Sequence, residues 1–284
     1  MLLITGANGQ LGTCLRDIVP PAQAIFTDVA ELDITQENSV LAFGKDKPLT
    51  AIINCAAYTN VDKAQDEPAL ARKINVDGPA NLAKLAALKN IPLIHISTDY
   101  VFDGTANTPL PEDAPTRPLG VYGQTKREGE EVVLQYAPTA VILRTAWLYS
   151  PYGKNFVKTM LRLGKEKQEL GVVFDQVGTP TYAPHLAQAI MQILPRIKEG
   201  TQEIYHFTDE GVCSWYDLAW YVLNKAQSPC RARPISSDQY PTKAQRPAFS
   251  VLNKSKITKT FNLQLPHWTQ GADACLEKLN NKLL

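Results

Sequence analysis

Tyr122 and Lys126 stand four positions apart in the stretch VYGQTK, residues 121–126. On a helix, positions i and i+4 share a face. A free phenol has a pKa of about 10 and is a poor acid or base at neutral pH. A lysine ammonium beside it stabilises the phenolate and pulls that pKa down. Such a pair can pass a proton to a carbonyl oxygen as hydride reaches the carbon, and the ammonium can hold a ribose hydroxyl. A third hydroxyl is expected near the same oxygen. Thr98, in Ser97-Thr98-Asp99 and 24 residues before Tyr122, could supply it.

A second group of residues has the chemistry to hold a dinucleotide. Gly6-Ala7-Asn8-Gly9-Gln10-Leu11-Gly12 follows an apolar run and opens a helical pattern. Gly6 permits a tight turn. Gly9 lets backbone approach a pyrophosphate at the helix N-terminus, and Gly12 allows close helix–sheet packing. Asp28 closes the next strand-like run, sixteen residues beyond Gly12. An acid there can accept from the adenosine ribose, which favours NADH. Arg16 is near enough to tolerate a 2′-phosphate, so NADPH stays open. Asp33-Ile34 lies where the chain could pass the adenine edge. Asn54-Cys55-Ala56-Ala57 supplies small residues that would let a cofactor lie across the sheet edge.

The elements that must position these groups alternate in type. Strands are expected at 1–5, 24–27, 51–54, 92–97 and 140–144, and helices at 10–19, 36–44, 68–89 and 120–136. That alternation predicts an α/β fold, a doubly wound parallel sheet of Rossmann type. After residue 147 the pattern loosens. Helices are expected at 155–164, 184–198, 214–225 and 269–284, with short strands at 171–174 and 204–207. The expected division is a cofactor domain, 1–146, and a smaller substrate lobe, 147–284, with some late segments returning to the first domain. The loop 103–119 holds four prolines in 17 residues, and loops that long in compact domains usually serve function.

Composition excludes other classes. The chain has 284 residues, 44% hydrophobic and 20% charged, with net charge +1. At roughly 150 residues per domain this suggests two parts. The charge balance argues against a nucleic-acid binder, which needs surplus cations to displace counterions. Five scattered cysteines without a C-x-x-C pair argue for a reducing compartment rather than a disulfide scaffold. No uncharged apolar run reaches the roughly 20 residues that a membrane span needs. The N-terminus lacks a basic segment of signal type. The expectation is a soluble, cytoplasmic globular protein.

Eight stretches together resemble the extended short-chain dehydrogenase/reductase superfamily, and within it the dTDP-4-dehydrorhamnose reductase (RmlD) family. They are GANGQLG at 6–12, NCAAYTNVDKAQDEP at 54–68, STDYVFDG at 97–104, VYGQTKREGE at 121–130, LRTAWLY at 143–149, NFVKTMLRL at 155–163, DQVGTPTYA at 175–183 and RPAFSVLNKSK at 246–256. The resemblance implies reduction of a nucleotide 4-keto sugar with NADPH or NADH, the last step of dTDP-L-rhamnose synthesis for cell-surface polysaccharide. It implies Tyr122 as proton donor, Lys126 as its activator and ribose ligand, and Thr98 as the tuning hydroxyl. Thr98 and Asp99 would touch the sugar, and Trp147 would pack on it or close over it. Gly9, Gln10, Leu11, Asp33, Ile34, Ala57, Tyr58 and Thr59 would line the dinucleotide. Arg246 would order the substrate lobe or reach the diphosphate. Related dehydratases place Glu directly after the Asp of the T-D pair; here Tyr100 follows Asp99, which favours simple keto reduction. Some relatives bind Mg²⁺ through clustered acids at a dimer contact. No such cluster is legible here, so no metal ligand is assigned and a homodimer is left open. A non-catalytic subunit like the β subunit of methionine adenosyltransferase, or a reductase or epimerase of another nucleotide sugar, are the competing readings.

Overall fold

The structure, a computed structural model, describes residues 1–280. Its strands are β1 (Leu2–Thr5), β2 (Ala24–Thr27), β3 (Ala51–Asn54), β4 (Leu93–Thr98), β5 (Ala140–Thr145), β6 (Leu148–Tyr149), β7 (Glu169–Val173), β8 (Val177–Gly178), β9 (Thr181–Tyr182), β10 (Gln202–His206), β11 (Cys213–Ser214) and β12 (Arg231–Ile235). Its helices are α1 (Gln10–Ile18), α2 (Glu37–Lys45), α3 (Val61–Ala64), α4 (Pro68–Arg72), α5 (Gly78–Lys89), α6 (Val121–Tyr136), α7 (Phe156–Glu166), α8 (Ala183–Ile193), α9 (Trp215–Lys225), α10 (Ser255–Phe261) and α11 (Trp268–Asn280). None of these helices is long and apolar enough to cross a membrane.

Six strands form one parallel sheet in the order β2-β1-β3-β4-β5-β10. Strands β1, β3 and β5 are buried along their whole length, as expected for a parallel sheet covered on both faces. Alternate side chains serve opposite faces. Leu2 and Ile4 join a core with Leu15 of α1 and Leu186 and Ile190 of α8. Leu3 and Ile52 join a second core with Leu82 and Leu85 of α5 and Val133 of α6. The chain leaves β1 for β2 on one side and returns to β3 on the other. Ligands of open α/β sheets bind where the order reverses in this way, at the C-terminal strand ends.

Two arrangements lie beyond what the sequence specifies. The strand expected at 204–207 is β10, which lies beside β5 with Gln202 opposite Ala140 and His206 opposite Arg144. Apolar alternation marks a strand without saying which sheet it joins. The stretch 68–89 is not one helix. A π turn, Lys73–Asp77, separates α4 from α5. It turns Asn75 inward, where the side chain accepts from the Tyr58 amide (2.8 Å) and donates to Thr125 Oγ1 of α6 (3.0 Å). The Asn75 carbonyl meets α6 at Gly129, where a Cβ would lie 2.2 Å from it.

A third core surrounds α7, α9 and α11 and includes Met160, Leu218, Val222 and Trp268. Strands β7 and β12 form a parallel pair of their own there. The long loop 103–119 is tied back to the sheet through Arg144. This arginine donates to both oxygens of Glu130 (2.9 and 2.7 Å) and to the Glu112 carbonyl (3.2 Å). Both members of the pair are buried. Removing one partner of a buried pair strands the other charge and costs about 3–5 kcal/mol. Arg144→Met is therefore expected to lose about that much stability in urea unfolding, and a loss under about 1 kcal/mol would show that Glu130 is satisfied without it.

Candidate active site

The crevice at the end of β1 is built by glycine. Gly6 adopts φ +65°, and a Cβ on it would lie 2.6 Å from the Ala56 amide nitrogen. A Cβ on Gly12 would lie 2.4 Å from Gly6 O. Gly9 is the N-cap of α1 and provides no side chain to cap it, and the first turn carries no acid. The free amides and the positive end of the helix suit a phosphate. Leu11 buries its side chain in the core. The Gln10 amide nitrogen donates to Leu148 O (3.3 Å), while its oxygen accepts from Ser150 Oγ (3.0 Å) and Asn155 Nδ2 (2.8 Å).

Asp28 stands at the rim of this crevice, with its carboxylate accepting from the Asn8 amide (3.0 Å) and the Val29 amide (2.8 Å). Arg16 lies over the Phe26 ring, 5.2 Å from its centroid, and reaches Asn8 Oδ1 at 3.5 Å. Asp33 accepts from both the amide and the hydroxyl of Thr35, and the hydroxyl bond is the main cause of its lowered pKa. Ile34 is buried against Gly78, and its carbonyl accepts from Asn81 (2.9 Å). Ala57, Tyr58 and Thr59 follow β3. Asn75 fixes the Tyr58 backbone, and the Tyr58 hydroxyl donates to Glu67 (2.6 Å).

Beyond the crevice, β4 ends on Thr98 and Asp99. Thr98 Oγ1 donates to Asp99 Oδ1 (3.0 Å), and its hydroxyl acts on the Tyr122 phenol. Burial pushes that phenol up to about 12, the Thr98 hydroxyl opposes the rise, and the Asp99 charge adds to it. The Tyr100 ring meets the Tyr122 ring edge-on at 5.4 Å. Lys126 is buried one turn along α6. Its Nζ donates to Ile96 O (2.7 Å) and lies 3.4 Å from His95 Nε2. Burial lowers its pKa to about 8, against the pull of Glu130 and Cys55. The expected depression of the phenol by this ammonium is absent: burial dominates Tyr122, and Lys126 faces β4 instead.

Trp147 and Arg246 close the site from the later half of the chain. Trp147 has φ +50°, a conformation that bulky residues rarely adopt. It is held there by a stack on Trp215, with centroids 3.6 Å apart and planes at 9°. A Cβ on Gly178 would lie 2.8 Å from the Trp147 ring and 3.0 Å from Ser250 Oγ. Arg246 makes a two-pronged pair with Asp62 (2.9 and 3.3 Å) and also acts on the Tyr100 hydroxyl electrostatically. The site thus brings Thr98, Asp99 and Tyr122 together. Lys126 lies below them, and Asp28 stands beside the glycine loop.

A profile of the RmlD substrate binding domain matches residues 1–281. The chain belongs to the RmlD family. A dTDP-4-dehydrorhamnose reductase of Aggregatibacter actinomycetemcomitans is 42% identical over 282 residues, 95% of this chain and 96% of that one. The crystal structure of a family member from Clostridium acetobutylicum superimposes with a TM-score of 0.94 at 40% identity, covering 98% of this chain and 99% of that one. A Bacillus anthracis member solved in complex with NADP gives 0.93 at 37% identity over 98% of each chain. RmlD-family membership accounts for the late stretches of the sequence as well as for the glycine loop. Among the described residues, no group of three or more His, Cys, Asp or Glu could hold a metal ion.

Sequence reading missed Asn75, His95, Ser250 and Trp215. Asn75 depends on a π turn that leaves no periodic signature, and Trp215 meets Trp147 only through the fold. His95 sits inside an apolar strand, where it reads as core.

Asp99 is buried, and its Oδ2 has no hydrogen-bond partner among the described residues. Burial raises its pKa from 3.8 to about 6, with the Ser250 and Thr98 hydroxyls offsetting part. A raised carboxyl pKa means that the folded state holds the proton more tightly, so stability falls as pH rises from about 4 to about 6. Asp99→Asn removes this penalty. Its stability relative to the parent is expected to climb through that window and level off above it, by at most about 3 kcal/mol. Urea unfolding at several pH values measures this, and a pH-independent difference would refute it.

Proposed function

We propose that the protein reduces the C4 keto group of dTDP-4-dehydro-β-L-rhamnose to give dTDP-β-L-rhamnose, using NADPH or NADH. The observation that carries this reading is Thr98 and Asp99 at the C-terminal end of β4 with Tyr122 and buried Lys126 on the neighbouring α6, beside a glycine crevice fit for a pyrophosphate. The names of the similar proteins supply the sugar and the thymidine nucleotide. When bound, the reduced nicotinamide supplies the hydride. Tyr122 gives its phenolic proton to the C4 oxygen as the carbonyl becomes an alcohol. A phenol held near 12 by burial keeps that proton at neutral pH until the oxygen gains charge. Thr98 shares the hydrogen bond and orients the phenol. Lys126, one turn along α6, serves the nicotinamide ribose with its Nζ. Asp99 accepts from a sugar hydroxyl through Oδ2, and Trp147 packs on the sugar ring. Arg246, oriented by Asp62, serves the diphosphate side.

Gly6, Gly9, Gln10, Leu11 and Gly12 surround the pyrophosphate, and Asp33, Ile34, Ala57, Tyr58 and Thr59 line the adenosine and ribose. Asp28 already serves two amides, and Arg16 presents a guanidinium next to it, so the rim accommodates a 2′-phosphate as well as a plain ribose. The Bacillus anthracis complex with NADP supports that assignment. In this reading residues 1–146 bind cofactor and 147–284 bind sugar nucleotide, with β10 and α8 serving the first part. No disulfide forms among the described residues, which suits a reducing cytoplasm, where reduced dinucleotide is also available.

Oxidation of NADPH with enzymatically prepared dTDP-4-dehydrorhamnose tests the reaction, with NADH run beside it. Absence of turnover by well-folded protein would reject the reductase reading. Tyr122→Phe is expected to lower kcat by about a hundredfold or more with KM little changed, through loss of the general acid. Full activity in that variant would place the proton donor elsewhere.

A further inference from the structure

A buried polar row crosses the sheet beneath the site. It runs from Thr5 at the end of β1 through Asn54 at the end of β3 and His95 in β4 to Lys126 in α6, and every member is buried. Thr5 Oγ1 donates to Asn54 Oδ1 (2.8 Å), and the Ala56 amide donates to the same oxygen (3.1 Å). These two donors fix the Asn54 amide. Its Nδ2 therefore faces His95 Nδ1 at 3.0 Å. An amide nitrogen only donates, so the network assigns His95 Nδ1 as an acceptor. Burial, and secondarily the Lys126 charge, holds the imidazole well below its usual pKa and hence neutral. A neutral ring that accepts at Nδ1 carries its one proton on Nε2. That N–H faces Lys126 Nζ, 3.4 Å away.

Lys126 Nζ thus has one acceptor, Ile96 O, and one donor, His95 Nε2–H. An ammonium has three protons and no lone pair, so it has nothing to offer the donor; an amine accepts from it. We propose that His95, oriented by Asn54, is a positioning residue that holds Lys126 Nζ in place and biases it toward the amine. The other groups facing Lys126 do not reverse this. Glu130, one turn along α6, favours the ammonium, but its carboxylate is shared by Arg144 and Ser97. The Cys55 thiol is pushed up to about 12 by burial and stays uncharged. Tyr122 stays a phenol. Lys126 consequently changes charge near neutral pH, where a cycle that takes a proton from Tyr122 needs a group that can return one. That catalytic consequence rests on the reductase reading; the ionisation itself does not.

Lysine labelled with ¹³C at the ε-carbon reads the ionisation directly by NMR, and Lys126→Arg identifies the Lys126 resonance. In the parent protein this resonance is expected to titrate about a unit or more below the exposed lysines. Asn54→Asp keeps an oxygen for Thr5 and Ala56 but offers a second oxygen to His95. Nδ1 must then carry the proton, and Nε2 becomes an acceptor that favours the ammonium. The Lys126 midpoint is expected to rise at least about tenfold in proton affinity. His95→Gln can accept from Asn54 and still donate to Nζ, so its midpoint is expected to stay near the parent's. An unchanged midpoint in folded Asn54→Asp, a large upward shift in His95→Gln, or a parent Lys126 that titrates with the surface lysines would each overturn the inference. If Asn54→Asp does not fold, the parent and His95→Gln titrations decide it alone. The alkaline limb of kcat/KM should move up with the Asn54→Asp midpoint. A shifted resonance in protein without reductase activity supports the inference while rejecting the reductase reading.

Discussion

The close approach of two backbones at the ends of β1 and β3 is the constraint on which the rest of the site depends. Gly6 turns with positive φ directly against Ala56, leaving no room for a Cβ. This contact starts α1 at the mouth of the crevice and aims its N-terminus across the sheet edge. It also brings the Ala56 amide to Asn54, whose side chain is then committed to β4. Backbone proximity at one turn thereby fixes both the phosphate cradle and the buried row that ends at Lys126. Because the sheet is parallel and covered on both faces, the helices have little freedom to compensate for a shift at this turn.

Buried polar groups give α6 its position. It carries Tyr122, Lys126 and Glu130 on one side of the sheet, and each is met by a different partner on β4 or β5. Thr98 acts on the phenol, Ile96 and His95 meet the lysine Nζ, and Arg144 with Ser97 meets the carboxylate. Asn75 adds a fourth attachment from the π turn. Unpaired polar groups in such a setting are costly, so the network specifies one register of the helix against the sheet. Asp99 Oδ2 is the buried side-chain atom that this network leaves without a partner among the described residues.

Much of this was legible in the sequence. The apolar runs at 24–27 and 51–54 are β2 and β3 without adjustment, and the glycine loop, the Tyr122–Lys126 pair and the Thr98 strand end fall where their spacing predicts. Local pattern carries that information because each feature depends on neighbours within a few residues. The features that escaped depend on contacts far apart in the chain. Residue 204 reads as a strand, but its partner in β5 is set by packing. Asn75 reads as helix, because a π turn differs from an α turn by a single inserted residue. The Tyr122–Lys126 pair reads as an electrostatic couple, yet burial and a competing carbonyl redirect the lysine.

Gln10 joins the glycine loop to the later half of the chain. Its amide is divided among Leu148, Ser150 and Asn155, the last being the N-cap of α7. The same residue stands in the first turn of the helix whose N-terminus faces the crevice. The first turn of α1 and the seating of α7 therefore share one set of hydrogen bonds, and a displacement of either is passed to the other.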